Sequence, residues 1–144
     1  MATERTADVT WHGYLLDGGG TIDRVGSGTF GPLDVSWASR AEDPNGKTSP
    51  EELIAAAHAA CFAMALSHGL AQSGTPAEQL STSATVTFQP GEGITKVALT
   101  VEGSVPGINA DAFQAAAEGA KANCPVSKAL AAVPEITLDA RLAS

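Results

Sequence analysis

Residues 49–69 read SPEELIAAAHAACFAMALSHG, and the rest of the chain is arranged around them. Ser49 stands where an N-cap belongs, Pro50 takes the first helical position, and Glu52 completes a capping box. Glu51 and Glu52 also place negative charge at the positive end of the helix dipole. From Leu53 onward only His58, Ser67 and His68 are clearly polar. The spacing therefore predicts one long helix over 49–69, apolar nearly all round and so of the kind normally buried. Its alanines leave room for a second backbone. One thiol, Cys61, sits in its middle. A buried cysteine on such a helix is usually small hydrophobic filler. His58 and His68 read as ordinary helix residues.

The totals narrow the classes. A chain of 144 residues fits one domain over 1–144 with a real core. Eight basic against 16 acidic residues give a net charge of −8. That balance, with no basic cluster, argues against nucleic acid and against anionic membranes as partners. Glu51, Glu52, His58 and His68 interrupt the best apolar run, so no membrane span is expected. Residues 1–11, MATERTADVTW, show no hydrophobic segment of the signal-peptide kind, and the expected location is the cytoplasm. The two cysteines, Cys61 and Cys124, stand 63 positions apart with no CxxC. In a reducing compartment a disulfide between them would be transient and catalytic rather than structural.

Along the chain, 7–16 alternates as a strand, Asp17 and the triplet Gly18–Gly20 make a turn, and 21–25 returns as a hairpin partner. The triplet lacks the pattern of a phosphate loop. Residues 33–39 alternate as a third strand that ends at Arg40. The loop AEDPNGKT then leads into the Ser49 cap. Thr75 to Glu78 resembles a second, short capping box. Residues 81–89 and 94–105 alternate around PGEG as a hairpin. Asn109 or Asp111 caps a helix to about Ala122, Cys124 precedes a further turn or two from Pro125, and 135–142 closes the chain as a strand. This order predicts an α+β fold with antiparallel sheets.

The chemistry turns on how Cys61 is activated. A free thiol near pKa ~8.5 is mostly protonated at neutral pH, and a cation or helix N-terminus must lower it. Mid-helix, the dipole offers little. The cation has to come from another element, and Arg40 is the best candidate, with Glu51 as the carboxylate that orients its guanidinium fork. Glu51 precedes Cys61 by about 15 Å of helix rise and about 80° of rotation. One helix cannot bring both to one site. A second copy alongside can, so a shared site implies a homodimer with a central helix pair. Cys124, beside an N-cap, reads as a second thiol with some thiolate character and more access than a mid-helix cysteine.

The runs PEELIAAAHAACFAMAL and KANCPVSKAL, the VPGI turn and the closing ITLDARL resemble the OsmC branch of the OsmC/Ohr family of thiol peroxidases over nearly the whole chain. The resemblance implies an intertwined α+β homodimer with sites at the subunit interface. It implies a peroxidatic Cys61, a resolving Cys124, and Arg40 and Glu51 as the family's Arg and Glu. Organic hydroperoxides, and hydrogen peroxide with them, would be substrates. A cellular thiol or dithiol would be the reductant, with no metal or flavin needed. The rival class is a metal- or ligand-binding stress protein without turnover, with His58, Cys61 and Cys124 as zinc ligands. Its spacing fits no standard zinc pattern.

Overall fold

The computed structural model describes residues 1–143 and divides into two compact units, Met1–Leu53 and the chain from Ile54 onward. The element order is βββααββααβ, an α+β arrangement of two three-stranded sheets and four helices.

In the first unit β1 (Ala7–His12) pairs antiparallel with β2 (Gly19–Val25), and β2 pairs antiparallel with β3 (Leu33–Val35). The expected hairpin forms, but the glycine triplet is not its turn. The turn closes earlier, where the Gly18 N–H donates to the Tyr14 carbonyl at 2.8 Å, and Gly19 and Gly20 belong to β2. A Cβ on Gly20 would lie 2.6 Å from Cε3 of Trp11, so glycine there lets the indole lie against the neighbouring strand. The third strand is also shorter than its alternation suggests. It stops at Val35, and Trp37–Ala41 form the short helix α1. The Ser39 N–H donates to Ser36 Oγ and the Ser36 N–H to Ser39 Oγ, both at 3.0 Å. This reciprocal cap satisfies the backbone of a helical turn, and a few alternating residues do not outweigh it. Arg40 therefore lies in the last turn of α1, not at a strand end. The following loop is exposed and is tied back at Thr48. There the N–H donates to the Asp34 carbonyl at 3.0 Å and the carbonyl accepts from Ser39 Oγ at 2.9 Å. Among this unit's hydrophobic residues only Ile22 is buried, while Val9, Trp11, Tyr14, Leu16, Phe30 and Leu33 are exposed.

Helix α2 (Pro50–Gln72) begins as expected and runs three residues further. The Glu52 N–H donates to Ser49 Oγ at 3.2 Å, the N-cap bond. The other half of the box is replaced: the Glu52 carboxylate accepts from the Thr48 hydroxyl at 2.8 Å. The expectation of burial all round is corrected. One stripe, His58, Phe62, Leu66 and Leu70, is fully buried, whereas Ala56, Ala57, Ala60 and Met64 are exposed. By length and composition alone α2 is apolar enough to cross a membrane, because two histidines among so many alanines lower its hydropathy little. Its buried stripe nonetheless packs into the core cluster, as a core helix does.

In the second unit β4 (Gln79–Gln89) and β5 (Gly93–Ser104) form the predicted antiparallel hairpin. Thr75 to Glu78 caps no helix; the Glu78 N–H donates to the Ser104 carbonyl at 2.8 Å and β4 follows at once. The closing strand β6 (Glu135–Ala143) pairs parallel to β5, so this sheet is mixed rather than antiparallel. The reason is the long connection through α3 (Ala110–Asn123) and α4 (Pro125–Ala129), which carries the chain back to the start of β5. Asn109 caps α3, accepting from the Ala112 N–H at 2.8 Å. Val97, Leu99 and Val101 of β5, Phe113 and Ala117 of α3, and the α2 stripe form one core, which also contains Cys124.

Candidate active site

Cys124 ends α3 and starts α4. The proline after it disfavours helical backbone, and its ψ of 125° breaks the two helices apart. Its N–H donates to the Ala120 carbonyl at 2.8 Å and its carbonyl accepts from the Lys128 N–H at 3.0 Å, so the corner is fixed at both ends. This sets its sulfur 2.9 Å from that of Cys61 on α2, in hydrogen-bond contact, with both thiols free. Exposure runs opposite to expectation. Cys124 is fully buried, because the α3–α4 corner is part of the core, and Cys61 is only half-buried.

Burial pushes the Cys61 thiol up, the Cys124 thiol pushes it further the same way, and the Val126 N–H only partly offsets them. Burial raises Cys124 too. There the donors win: the Cys61 thiol, the Ser127 N–H and hydroxyl, and the Val126 N–H together hold it below its ordinary value. The pair titrates as a unit, and by itself it favours negative charge on the inner sulfur, Cys124.

Arg40 and Glu51 form a second pair, within the first unit. Arg40 Nε donates to both carboxylate oxygens of Glu51 at 3.0 Å, and Nη2 donates to Oε2 at 2.8 Å. The last turn of α1 supplies the arginine and the first turn of α2 the glutamate, and the Thr48 tie fixes the loop between them. Glu51 is buried and the Arg40 side chain is 33% exposed. The neighbouring Glu52 faces solvent on Thr48.

A third pair has no counterpart among the sequence-derived candidates. His58, fully buried, lies with Nε2 2.7 Å from Oγ of Ser127, itself buried. His58 stands three residues before Cys61 and Ser127 three residues after Cys124, so this pair joins α2 to α4 one turn from the thiols. The matching offsets, HxxC and CxxS, are the only sequence signal. Among the described residues no group of three or more His, Cys, Asp or Glu side chains could hold a metal ion, so His58, Cys61 and Cys124 do not form a ligand set.

Against known families, the model for OsmC-like proteins matches residues 43–139, a span containing Glu51, His58, Cys61, Cys124 and Ser127. The chain belongs to the OsmC family. It is 42% identical over 147 aligned positions to Peroxiredoxin OsmC of Escherichia coli, covering all of both chains and so including Arg40. Among solved structures it is similar to the organic hydroperoxide resistance protein OhrB of Bacillus subtilis. That likeness has 25% identity and a TM-score of 0.62 over 96% of this chain and 98% of that one. An OsmC-like protein from Mycoplasma pneumoniae shares the fold at 16% identity and a TM-score of 0.69, over 96% and 98% of the two chains.

Proposed function

We propose that the chain is a cysteine-based thiol peroxidase that reduces organic hydroperoxides, and hydrogen peroxide with them, as a homodimer. The observation that carries this is the meeting of two free thiols at 2.9 Å, one half-exposed and one buried, in a chain so close to a peroxiredoxin. Cys61 attacks first, because an attacking sulfur must be reached by the peroxide and Cys124 cannot be. The Cys61 thiolate takes one peroxide oxygen, the O–O bond breaks, and the alkoxide leaves as an alcohol after gaining a proton. Cys124 then attacks the Cys61 sulfenic acid, hydroxide leaves as water, and a Cys61–Cys124 disulfide forms. A thiol or dithiol restores both thiols by exchange. The apolar Met64, exposed one turn along from Cys61, suits an organic hydroperoxide.

Within the pair, burial and Cys124 both oppose charge on Cys61. Arg40, held by Glu51, is the cation we assign to that thiolate and to the peroxide oxygen. The helix rise separating Glu51 from Cys61, about 15 Å, favours a site shared between two copies of α2. Two exposed surfaces support the dimer. The first unit's sheet buries a single hydrophobic residue and is exposed along the whole of β1, which is too little for a stable three-stranded sheet. The alanines of α2 leave its outer face open to a second helix. A second copy would cover both, and we read residues 1–144 as one domain because α2 and the family match run through both units. The reducing cytoplasm suits a protein with two free thiols.

The test is consumption of cumene hydroperoxide with dithiothreitol as reductant, with loss of both protein thiols when the reductant is left out. Cys61→Ser should abolish turnover. Cys124→Ser should stop the disulfide and leave one sulfenic acid open to trapping. Full activity in Cys61→Ser would end the proposal.

A further inference from the structure

His58 is costly where it is. Its ring is fully buried, Nε2 lies 2.7 Å from Ser127 Oγ, and Nδ1 has no hydrogen-bond partner. An unsatisfied buried polar atom disfavours folding, and an aliphatic side chain would fill the site without that cost. What the imidazole supplies is a directional bond from α2 to α4. The backbone bonds of Cys124 run to Ala120 of α3 and Lys128 of α4, which fix it on its own corner and not against α2. Its thiol meets that of Cys61, a contact that changes once Cys61 carries an oxygen. Apolar packing also holds the corner in the core, but that force is non-directional. Helix α4 is five residues long, too short to be stable by itself. His58 stands three residues before Cys61, and Ser127 three residues after Cys124. The bond therefore ties the two elements one turn from the sulfurs, whose 2.9 Å contact is close enough for attack.

We propose that His58 and Ser127 are a positioning pair that keeps Cys124 within reach of the Cys61 sulfenic acid and so protects that sulfur from a second peroxide. The proposal rests on the peroxidase cycle above and deepens its second step. The sulfenic acid has two fates. In one, Cys124 attacks it, the S–S bond forms, the S–O bond breaks, and the departing hydroxide takes up the thiol's proton as water. In the other, a second hydroperoxide gives one oxygen to the Cys61 sulfur, its O–O bond breaks and an alcohol leaves. Cys61 then ends as a sulfinic acid, which thiols do not reduce. The first fate is intramolecular, and its rate follows the placement of Cys124. The second follows the peroxide concentration, and the half-buried Cys61 is open to it. A tie one turn from both sulfurs sets the ratio between the two. In this role neither side chain moves a proton; both act through the placement of α4 against α2.

The experiment is a single turnover of the full chain by rapid quench with cumene hydroperoxide. Sulfenic acid on Cys61 is followed by trapping, the disulfide by thiol count and sulfinic acid by intact mass. In Ser127→Ala the sulfenic acid should persist about 5–10-fold longer, the scale of one lost hydrogen bond. Sulfinic acid should then appear at a hydroperoxide concentration lower by the same factor. The delay should fall on disulfide formation and not on the first oxidation. Ser127→Thr, which keeps a hydroxyl, and His58→Gln, whose amide reaches the place of Nε2, should both resolve at the wild-type rate. His58→Leu should match Ser127→Ala, and the two together should be no slower than either, because the same bond is lost each time. If His58→Leu does not fold, Ser127→Ala against Ser127→Thr decides. Disulfide formation at the wild-type rate in Ser127→Ala, or an equal slowing of both steps, would overturn the positioning role. A wild-type chain that forms neither sulfenic acid nor disulfide would instead overturn the peroxidase cycle, and the positioning role with it.

Discussion

Arg40→Ala should weaken the protein in a way that Glu51→Gln relieves. The Glu51 carboxylate accepts from Nε at 3.0 Å on both oxygens and from Nη2 at 2.8 Å, and Glu51 is 6% exposed. Breaking a fully buried ion pair costs about 3–5 kcal/mol, mostly because one charge stays behind unpaired. The Arg40 side chain is 33% exposed, so water already screens part of the attraction. The expected loss is about 1–3 kcal/mol, near the value of a hydrogen bond to a charged group. Glu51→Gln keeps the shape and removes the charge. The double variant leaves no buried charge, and should be less destabilised than the two single losses added, by about 1–2 kcal/mol. Urea unfolding followed by circular dichroism at one fixed protein concentration reads this coupling, since a dimer's stability depends on concentration. The same variants bear on the chemistry. Losing a preorganised positive group costs about 10²–10³-fold in rate, so the first oxidation of Cys61 should slow by that factor in Arg40→Ala. Additive stabilities together with a wild-type oxidation rate in Arg40→Ala would refute the assignment of this pair.

Three further outcomes follow from particular contacts. Gly103→Ala puts a Cβ 2.6 Å from Cζ of Phe113, a buried ring with little room to move, and should lower stability by about 1–3 kcal/mol in urea titration. Because His58 has a folded pKa below its unfolded value of about 6.5, the unfolded state binds the extra proton as pH falls. Stability should therefore be lost below about pH 6.5, by up to about 1.4 kcal/mol per pH unit, and His58→Gln should flatten that limb of the unfolding profile. Ala60→Glu places a charge on the exposed face of α2 and should shift the mass measured by light scattering from two chains to one, with loss of peroxidase activity.

The parts of this fold that the sequence announces are those set by neighbours in the chain. The start of α2 is legible because Ser49, Pro50 and Glu52 act within one turn, and the β4–β5 hairpin because alternation and PGEG are both local. The setting of Arg40 is less so: the segment 33–39 alternates like a strand, and only the mutual bonds of Ser36 and Ser39 turn its second half into helix. The parallel pairing of β6 depends on the path through α3 and α4, which alternation does not encode. Burial of Cys124 is likewise tertiary. An N-cap position says where its backbone sits and nothing about the core that closes over it. The contact of His58 with Ser127 joins residues 69 positions apart, and a histidine among alanines carries no mark of it.

The two sulfurs also constrain where the peroxide comes from. At 2.9 Å they are no farther apart than reacting atoms poised for attack, about 3–3.5 Å. Displacement at sulfur runs in line, so the sulfenic oxygen must leave from the side of Cys61 away from Cys124. On α2 the neighbours of Cys61 at three and four positions are His58 and Ala65 on its buried flank, and Ala57 and Met64 on its open flank. In the proposed cycle the oxygen therefore departs over Ala57 and Met64, the face that a second copy covers in the proposed dimer. A cation meant to hold that oxygen has to stand on the same side. Cys124 is buried and Cys61 half-buried, which is why the proposed cycle has the peroxide meet the first thiol. The order of the two cysteines in the cycle is then a matter of which sulfur the substrate can touch, even though the pair's own hydrogen bonds place charge more readily on the inner one.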